Sequence, residues 1–254
     1  MKICAACKQE LSKERFSKKQ WQLKQCRRCK ECIAGNREVS TGTNDELVQC
    51  ADGEEAQGWS DEDLFKQPPP RAECPICMLP LPLDDAQMTY FACCGKTLCN
   101  GCMHAAVATE NYLLCPFCRS HSHASDAEYI KRTEIRAEAN DVNAIYELGC
   151  DYFAGEKGLR QNQRKALKLF LQAGELGCAE AYNNVGTAYD NGEGVKKDEK
   201  KAKYYFEIAA MGGDVEARHN LGILEEDAGN MNRAVKHWMI SAGAGDDDSL
   251  REIR

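Results

Sequence analysis

The C-terminal part of the chain, from about residue 140, repeats one arrangement of apolar, small and polar residues. Three first halves align, AIYELGCDY (144–152), AYNNVGTAY (181–189) and ARHNLGILE (217–225), as do the second halves KALKLFLQAGELG, KAKYYFEIAAMGG and RAVKHWMISAGAG. Apolar and small residues recur every three to four positions in each half, which predicts helices. Gly149, Gly186 and Gly222 recur at intervals of 37 and 36 residues, and this period predicts a stack of helix pairs.

Small residues at fixed positions indicate close packing within each pair, because alanine and glycine let two helices approach. Leu148, Val185 and Leu221 then fill the space between neighbours. A layer of bulky core residues is predicted at Tyr152, Phe170, Tyr189, Phe206 and Trp238. Residues 140–254 are therefore predicted to form an all-α helical-repeat solenoid of three units, whose acidic end GDDDSLREIR forms a polar capping helix.

Eight cysteines fall within 45 residues in the middle of the chain: Cys74, Cys77, Cys93, Cys94, Cys99, Cys102, Cys115 and Cys118. Three pairs have C-x2-C spacing, in CPIC, CNGC and CPFC. Two thiolates separated by two residues can bind one Zn²⁺ from a tight turn, and two such pairs complete a tetrahedral site. The spacing predicts that residues 74–120 fold around metal and not around a large hydrophobic core.

A second group of cysteines lies in residues 1–37. CAAC contains Cys4 and Cys7, while Cys26, Cys29 and Cys32 form the overlapping pairs CRRC and CKEC. Either of these pairs can join CAAC in one four-thiolate zinc site, which leaves one cysteine over. The segment carries 11 Lys and Arg against 3 Asp and Glu, so the predicted zinc module is basic.

Residues 38–73 are acidic, with 2 Lys and Arg against 10 Asp and Glu, and they end in the run Pro68-Pro69-Pro70. Few apolar residues and a stiff proline spacer are typical of a linker. In the alternative interpretation, Trp59, Leu64 and Phe65 form one helical turn that docks on a partner.

Fourteen of the 16 cysteines precede residue 120, and pairs at metal-binding spacing argue against a secreted, disulfide-stapled protein. The start MKICAACKQE lacks the apolar run of a signal peptide, and no stretch approaches the roughly 20 apolar residues of a membrane span. A cytoplasmic or nuclear location without membrane contact is expected. The chain also lacks a Gly-rich phosphate loop and a Ser/His/Asp set, which disfavours a hydrolase or an oxidoreductase.

The repeated segments resemble the Sel-one-like repeats, relatives of the tetratricopeptide repeats. The matching features are the A-x3-LG start, the KA…AA…G second helix and the loop residues Gly192, Gly194, Val195, Lys197 and Asp198. The resemblance implies an α/α superhelix whose concave face binds proteins, and it implies no catalysis.

The segment from Cys74 to Cys118 resembles a RING finger, the zinc module that recruits ubiquitin-conjugating enzymes. The resemblance implies two zinc ions: one bound by Cys74, Cys77, Cys99 and Cys102, the other by Cys115, Cys118 and two further ligands. Where the family usually has a histidine ligand, in Cys-Gly-His-Thr-Leu-Cys, this chain has Lys96, whose ammonium offers no lone pair. Either Cys93 and Cys94 both bind, with Gly95 permitting the turn, or one binds and His104, His121 or His123 completes the site.

The resemblance also implies which residues of this chain correspond to the partner-binding surface of the RING family. Ile76 matches the aliphatic residue that packs on the conjugating enzyme, and Pro116 and Phe117 match the second apolar loop. Arg119 matches the basic residue that bridges ubiquitin and the conjugating enzyme. A RING accelerates transfer by holding thioester-linked ubiquitin in a reactive pose, which is a positioning effect.

The N-terminal segment CAACKQELSKERFSKKQW…CRRCKEC is similar to the Stc-one zinc-binding domain. The similarity rests on the first CxxC pair, Leu11, the run from Phe16 to Gln20 and the closing CxxC pair. It implies a third zinc ion, held by Cys4, Cys7, Cys29 and Cys32. The basic residues of the module can contact the phosphates of a nucleic acid, or they can form a solvated face of a protein-binding module.

The overall prediction is a multi-domain chain in which zinc-stabilised α+β modules, one zinc ribbon-like and one RING-like, precede the helical solenoid. The first functional hypothesis is a ubiquitin ligase adaptor whose repeats bind a protein substrate while its RING recruits the conjugating enzyme. The second is a non-enzymatic zinc scaffold whose modules bind proteins or RNA.

Overall fold

The computed structural model describes the backbone of residues 2–3 and 10–11, and then residues 59–107, 114–121 and 125–254. The chain forms two compact units, Met1–Ala56 and Gln57–Arg254. In the first unit, β1 (Lys2–Ile3) and β2 (Glu10–Leu11) pair antiparallel. The predicted N-terminal zinc ligands Cys4, Cys7, Cys29 and Cys32 lie outside the described residues, and so does the predicted nucleic-acid contact.

The cysteine-rich part of the second unit is built on a small hairpin. One turn of helix, α1 (Asp61–Leu64), precedes it, and a 3-10 turn, Asp85–Gln87, leads into the hairpin. The antiparallel strands β3 (Met88–Phe91) and β4 (Lys96–Cys99) are followed directly by α2 (Asn100–Val107). Tyr90, Ala92 and Leu98 are the buried apolar residues of the hairpin, so its hydrophobic core is small.

The rest of the second unit is helical. A helix that the sequence analysis did not predict comes first, α3 (Asp126–Glu138). The two helices of each unit follow in the predicted order: α4 (Val142–Ala154) with α5 (Gln163–Glu175), α6 (Ala179–Asn191) with α7 (Glu199–Met211), and α8 (Val215–Asp227) with α9 (Met231–Ala244). The predicted capping helix is α10 (Asp247–Glu252).

Side-chain caps fix where these helices begin. The carboxylates of Asp141, Asp198 and Asp214 each accept a hydrogen bond from the backbone amide three residues later. Such caps satisfy amides that have no partner within the helix. At the other end, α4 and α6 stop at Gly155 and Gly192, which adopt left-handed conformations with φ of 76° and 78°.

A glycine on the first helix of each pair faces an aromatic ring on the second. A Cβ atom at Gly149 would lie 2.7 Å from the Phe170 ring, and one at Gly186 would lie 2.6 Å from the Phe206 ring. Gly222 stands in the same relation to Trp238. The predicted bulky layer is thus buried at Phe170, Tyr189, Phe206 and Trp238, whereas Tyr152 is half-buried and packs under the Lys165 ammonium.

Residues 60–65 (Ser-Asp-Glu-Asp-Leu-Phe), here named the acidic turn, pack against the repeats of the same chain. Leu64 is fully buried, and Asp61 forms an ion pair with Arg233 on α9. The rings of Phe65 and His237 lie 4.8 Å apart between centroids. The structure therefore shows the helical turn that the sequence analysis gave as the alternative to a plain linker. The surface that receives it belongs to this chain.

Within the described residues, no helix combines the length and the apolar character that crossing a bilayer requires.

We predict that Gly186→Ala destabilises the repeats by about 1–3 kcal/mol, because the new methyl group would force the Phe206 ring and the two helices apart. Gly243→Ala is the matched control, since Gly243 is a helical glycine of α9 with nothing within 4 Å of the added Cβ. The control should be neutral or stabilising, as alanine favours a helix. Urea unfolding followed by helical circular dichroism measures both. Equal effects of the two substitutions would contradict the close-packing argument.

Candidate metal centre

Two groups of four cysteines converge in the second unit, and their members alternate along the chain. One cluster contains Cys74, Cys77, Cys99 and Cys102, and the other contains Cys93, Cys94, Cys115 and Cys118. Within each cluster, all four sulfur atoms lie within 4.8 Å of one another. The first and third pairs along the chain share one cluster, and the second and fourth share the other. Each cluster therefore ties together segments that are distant in sequence.

The distances between the sulfur atoms fit a tetrahedral metal site. The Cys74–Cys102 and Cys77–Cys99 sulfurs are 3.8 Å apart in the first cluster. In the second, Cys94–Cys115 measures 3.8 Å and Cys93–Cys118 measures 3.6 Å. Four sulfurs at about 2.3 Å from a central Zn²⁺ would be about 3.8 Å apart, whereas a disulfide requires about 2.05 Å. Both clusters could therefore hold a metal ion, and neither contains a disulfide.

The same loop closes each cluster. In CPICM, the Met78 amide donates to the Cys74 carbonyl at 2.8 Å, and in CPFCR, the Arg119 amide donates to the Cys115 carbonyl at 3.0 Å. Met78 and Arg119 both adopt left-handed backbone conformations, with φ of 58° and 61°. This conformation is uncommon for residues other than glycine. It bends the chain so that the two thiols of each pair face one centre.

Cys93 and Cys94 both lie in the second cluster, as the all-cysteine alternative requires. Lys96 occupies the position at which the RING resemblance predicts a histidine ligand. It is exposed on β4 opposite Phe91. Among the described residues, no histidine belongs to either cluster. His104 and His121 are exposed, and His123 lies outside the described residues.

The electrostatics of the clusters favour a bound cation. Burial raises the pKa of the Cys74 thiol, but hydrogen bonds from the backbone at Cys77, Cys99 and Ile76 outweigh it and lower the pKa to about 6. Burial and the neighbouring sulfurs instead raise the pKa of Cys102 to about 12. Thiolates at this spacing repel one another, so the geometry disfavours four negative charges without a cation between them. A divalent ion is needed to hold four thiolates together.

Helix α3 supports the second cluster from outside. The Arg136 guanidinium donates to the Cys94 carbonyl at 2.9 Å and to the Asp141 carboxylate at 2.9 Å. Gly95 lies directly under these two side chains with φ of 69°, and a Cβ there would be 2.6 Å from the Arg136 Cζ. Gly95 is therefore required both for its turn and for this approach. Local sequence patterns gave no signal for Arg136, because it acts on a carbonyl 42 residues away.

The two cysteine loops present apolar side chains to solvent. Ile76 and Phe117 occupy equivalent positions between the cysteines of CPIC and CPFC, and each is 43% exposed. Met78 and Leu79 extend this surface, and both are 64% exposed. Pro116 is half-buried, while Arg119 is exposed. Exposed apolar side chains on both loops make them candidates for binding another protein.

The first two helix pairs of the repeats match a known family. Residues 142–178 and 179–214 match the family model described as the Sel1 repeat. These residues are Sel1 repeats. The match ends before the predicted third unit, which nevertheless has the same helix-pair architecture in α8 and α9.

The chain is also similar to parts of several curated proteins. The chain is 32% identical over 117 residues to the ERAD-associated E3 ubiquitin-protein ligase component HRD3B of Arabidopsis thaliana, covering 46% of this chain and 18% of that protein. It is 32% identical over 96 residues to DAP3-binding cell death enhancer 1 of Rattus norvegicus, covering 36% of this chain and 18% of that protein. The chain therefore spans less than a fifth of the length of these curated relatives.

A solved structure shares the fold. It is a protective antigen present in uropathogenic Escherichia coli strains that displays an SLR fold, with a TM-score of 0.50 and 22% sequence identity. The likeness covers 61% of this chain and 35% of that chain. It supports the helical-repeat architecture alone.

We predict that Cys93→Ala lowers the metal content of the full chain by one ion, because three thiolates bind Zn²⁺ far more weakly than four. The control is Cys178→Ala, since Cys178 lies at the start of α6, outside both clusters. Mass spectrometric metal analysis after dialysis measures the ratio of zinc to protein. An unchanged ratio for Cys93→Ala would mean that the second cluster does not use Cys93.

We also predict that Arg136→Gln loosens the turn between β3 and β4, because hydrogen bonds from a charged donor contribute about 1.5–3 kcal/mol. Hydrogen exchange followed by mass spectrometry should show faster exchange in peptides that cover 88–99. Lys131→Gln is the control, since Lys131 is exposed on the same helix. Equal exchange in the two variants would argue that Arg136 does not hold this turn.

Proposed function

We propose that this chain is a zinc-binding RING-type ubiquitin ligase that recruits a ubiquitin-conjugating enzyme through residues 74–120 and a protein substrate through its helical repeats. One observation carries the proposal: two equivalent loops, each closing a four-cysteine cluster, expose Ile76 in the first loop and Phe117 and Arg119 in the second. Exposed apolar side chains at equivalent positions of both loops support a role in protein binding.

The eight clustered cysteines would hold two zinc ions. Bound zinc supplies folding free energy to a module with a small core, and four thiolates around each ion leave no open coordination position for chemistry. The sulfur distances support this assignment. The role of residues 74–120 would thus be to bind the conjugating enzyme and to orient the ubiquitin attached to it.

The exposed residues would have different roles in orienting the enzyme and its ubiquitin. Ile76, Pro116 and Phe117 would pack on the conjugating enzyme through apolar contacts. Arg119 would donate hydrogen bonds to both the enzyme and its attached ubiquitin, which restricts the thioester to poses that a substrate amine can attack. Restricting a flexible reactant in this way lowers the entropic part of the barrier. No residue of this chain would form a covalent bond.

The Sel1 repeats support the second half of the proposal. Stacked helix pairs present an extended surface for binding proteins, which suits a chain that acts through protein–protein interaction. One similar protein is named as a component of an E3 ubiquitin-protein ligase. We propose by analogy that the repeats of this chain serve ubiquitin transfer by holding the protein that receives ubiquitin.

The proposal predicts that the zinc-loaded full chain stimulates ubiquitin transfer from at least one enzyme in a panel of ubiquitin-conjugating enzymes. Ile76→Ala and Phe117→Ala should each lower the rate about tenfold or more, since losing a buried apolar contact at an interface costs about 1–3 kcal/mol. Arg119→Ala should lower the rate while binding of the conjugating enzyme persists. A gel assay of ubiquitin discharge measures the rates.

Ile135→Ala is the matched control, because Ile135 is equally an exposed aliphatic residue, at 58%, but lies on α3 outside the cysteine loops. It should leave transfer unchanged. If protein with its full zinc content transfers ubiquitin with no conjugating enzyme of the panel, the ligase proposal is wrong. The non-enzymatic zinc scaffold then becomes the better explanation.

A further inference from the structure

The acidic turn (residues 60–65) has the features of a ligand seated in a binding site. Ser60 caps it by accepting a hydrogen bond from the Asp63 amide at 3.2 Å, and its first turn is entirely acidic. A helix of four residues is unstable alone in water. Contacts with the repeats must therefore hold it, and the buried Leu64 and the Asp61–Arg233 ion pair are the main ones.

The acidic turn packs against α7 and against a surface on α9. The α9 surface, here named the α9 cradle, consists of Arg233, Lys236 and His237. The Phe65 ring lies 4.8 Å from the His237 ring. The same ring lies 5.7 Å from the Arg233 guanidinium and 5.3 Å from the Lys236 ammonium, at distances where cations attract an aromatic face. Arg233 also pairs with the buried carboxylate of Glu225 at 3.2 Å, which holds the guanidinium in place for Asp61.

The third helix pair differs from the second at three buried positions, one of which belongs to the cradle and another of which pairs with it. In the second pair, Tyr205 stacks against Tyr182 at 5.8 Å and against Tyr189 at 5.6 Å. The repeat alignment puts charged or polar residues at the three equivalent positions of the third pair: Arg218, Glu225 and His237. The third pair therefore lacks the aromatic stack with which the second pair fills its own interior.

These replacements are costly for packing alone. Arg218 and His237 are buried, at 2% and 0% exposure, and neither side chain has a hydrogen-bond partner within the described part of the chain. A buried polar group without a hydrogen-bond partner destabilises the fold. His237 contacts the Phe65 ring of the acidic turn, and Glu225 holds Arg233 in place for Asp61. Two of the three replacements therefore serve the contact with the turn.

We propose that the α9 cradle is a docking site for a short acidic segment of another protein, in which an acidic residue precedes an aromatic residue by four positions, as Asp61 precedes Phe65. The acidic turn occupies this site as an intramolecular ligand. Charge complementarity supports the assignment, since Arg233 and Lys236 face a segment with three consecutive acidic residues. The proposal goes beyond the proposed function and holds whether or not the chain transfers ubiquitin.

The position of the acidic turn in the chain makes it a competitor. Eight residues, including Pro68, Pro69 and Pro70, connect Phe65 to Cys74, the first cysteine of the clusters. A displaced turn therefore stays tethered close to the cradle, at a high effective concentration. A partner segment must outcompete it, so the apparent affinity of the partner is reduced by the fraction of cradles that the turn occupies.

A fluorescein-labelled peptide of residues 57–67 serves as the probe, and its anisotropy is measured with the full chain. We expect Asp61→Arg and the double variant Leu64→Ala/Phe65→Ala to bind this peptide at least tenfold more tightly than the unmodified chain, because the intramolecular competitor is weakened. Asp61 is exposed, so Asp61→Arg tests the proposal even if the double variant fails to fold. Helical circular dichroism verifies the fold of each variant.

Adding Arg233→Glu to the double variant Leu64→Ala/Phe65→Ala should abolish the gain in affinity, because the new carboxylate at position 233 would repel Asp61 of the peptide and of the turn alike. Arg164→Glu is the matched control, since Arg164 is an exposed arginine near the start of α5, and it should leave the gain intact. Equal peptide affinity for the unmodified chain and Asp61→Arg would overturn the proposal, and so would binding that Arg233→Glu does not weaken. A dimer that Asp61→Arg dissociates would also overturn it, because the turn would then dock on a second copy.

Discussion

Crowding of sulfur atoms constrains the whole region between Cys74 and Cys118. Four thiolates at separations near 3.8 Å would repel one another strongly, so a fully ionised cluster would need a cation at its centre. Because the cysteine pairs alternate between the clusters, the two clusters share one stretch of backbone. The small apolar core of the hairpin cannot replace this constraint. The exposed loops and the support from α3 both depend on the chain being closed in this way.

Elements that are marked by a repeating pattern of nearby residues were predictable from the sequence. Glycine on one helix and an aromatic residue on the next recur with the repeat period, which identified the three helix pairs and most of their core. The RING resemblance grouped Cys74, Cys77, Cys99 and Cys102, and the structure brings these four sulfur atoms into one cluster. For the second cluster, the choice between two cysteines and one cysteine with a histidine required the fold. Backbone closure at Gly95 brings Cys93 and Cys94 to one centre, and the lysine at position 96 is consequently left in solvent.

Contacts between distant segments were not predictable. Arg136 reaches the Cys94 carbonyl across 42 residues, and Arg233 reaches Asp61 across 172. Periodicity carries no information about such pairs. The acidic turn illustrates the limit, since its composition is that of a linker and only the receiving surface makes it a structured element. The third helix pair likewise follows the repeat pattern in its glycine and alanine positions, while its buried polar residues depart from it.

The contact between Arg136 and Cys94 has a geometric consequence for the chain. The cysteine module rests directly on α3, which leads into the first repeat through Asp141. The separation between the exposed cysteine loops and any surface of the repeats is therefore set by packing and not by the length of a flexible tether. A protein bound to the repeats would therefore approach the cysteine loops from one fixed direction. Only those of its segments that protrude by the matching distance would come within reach.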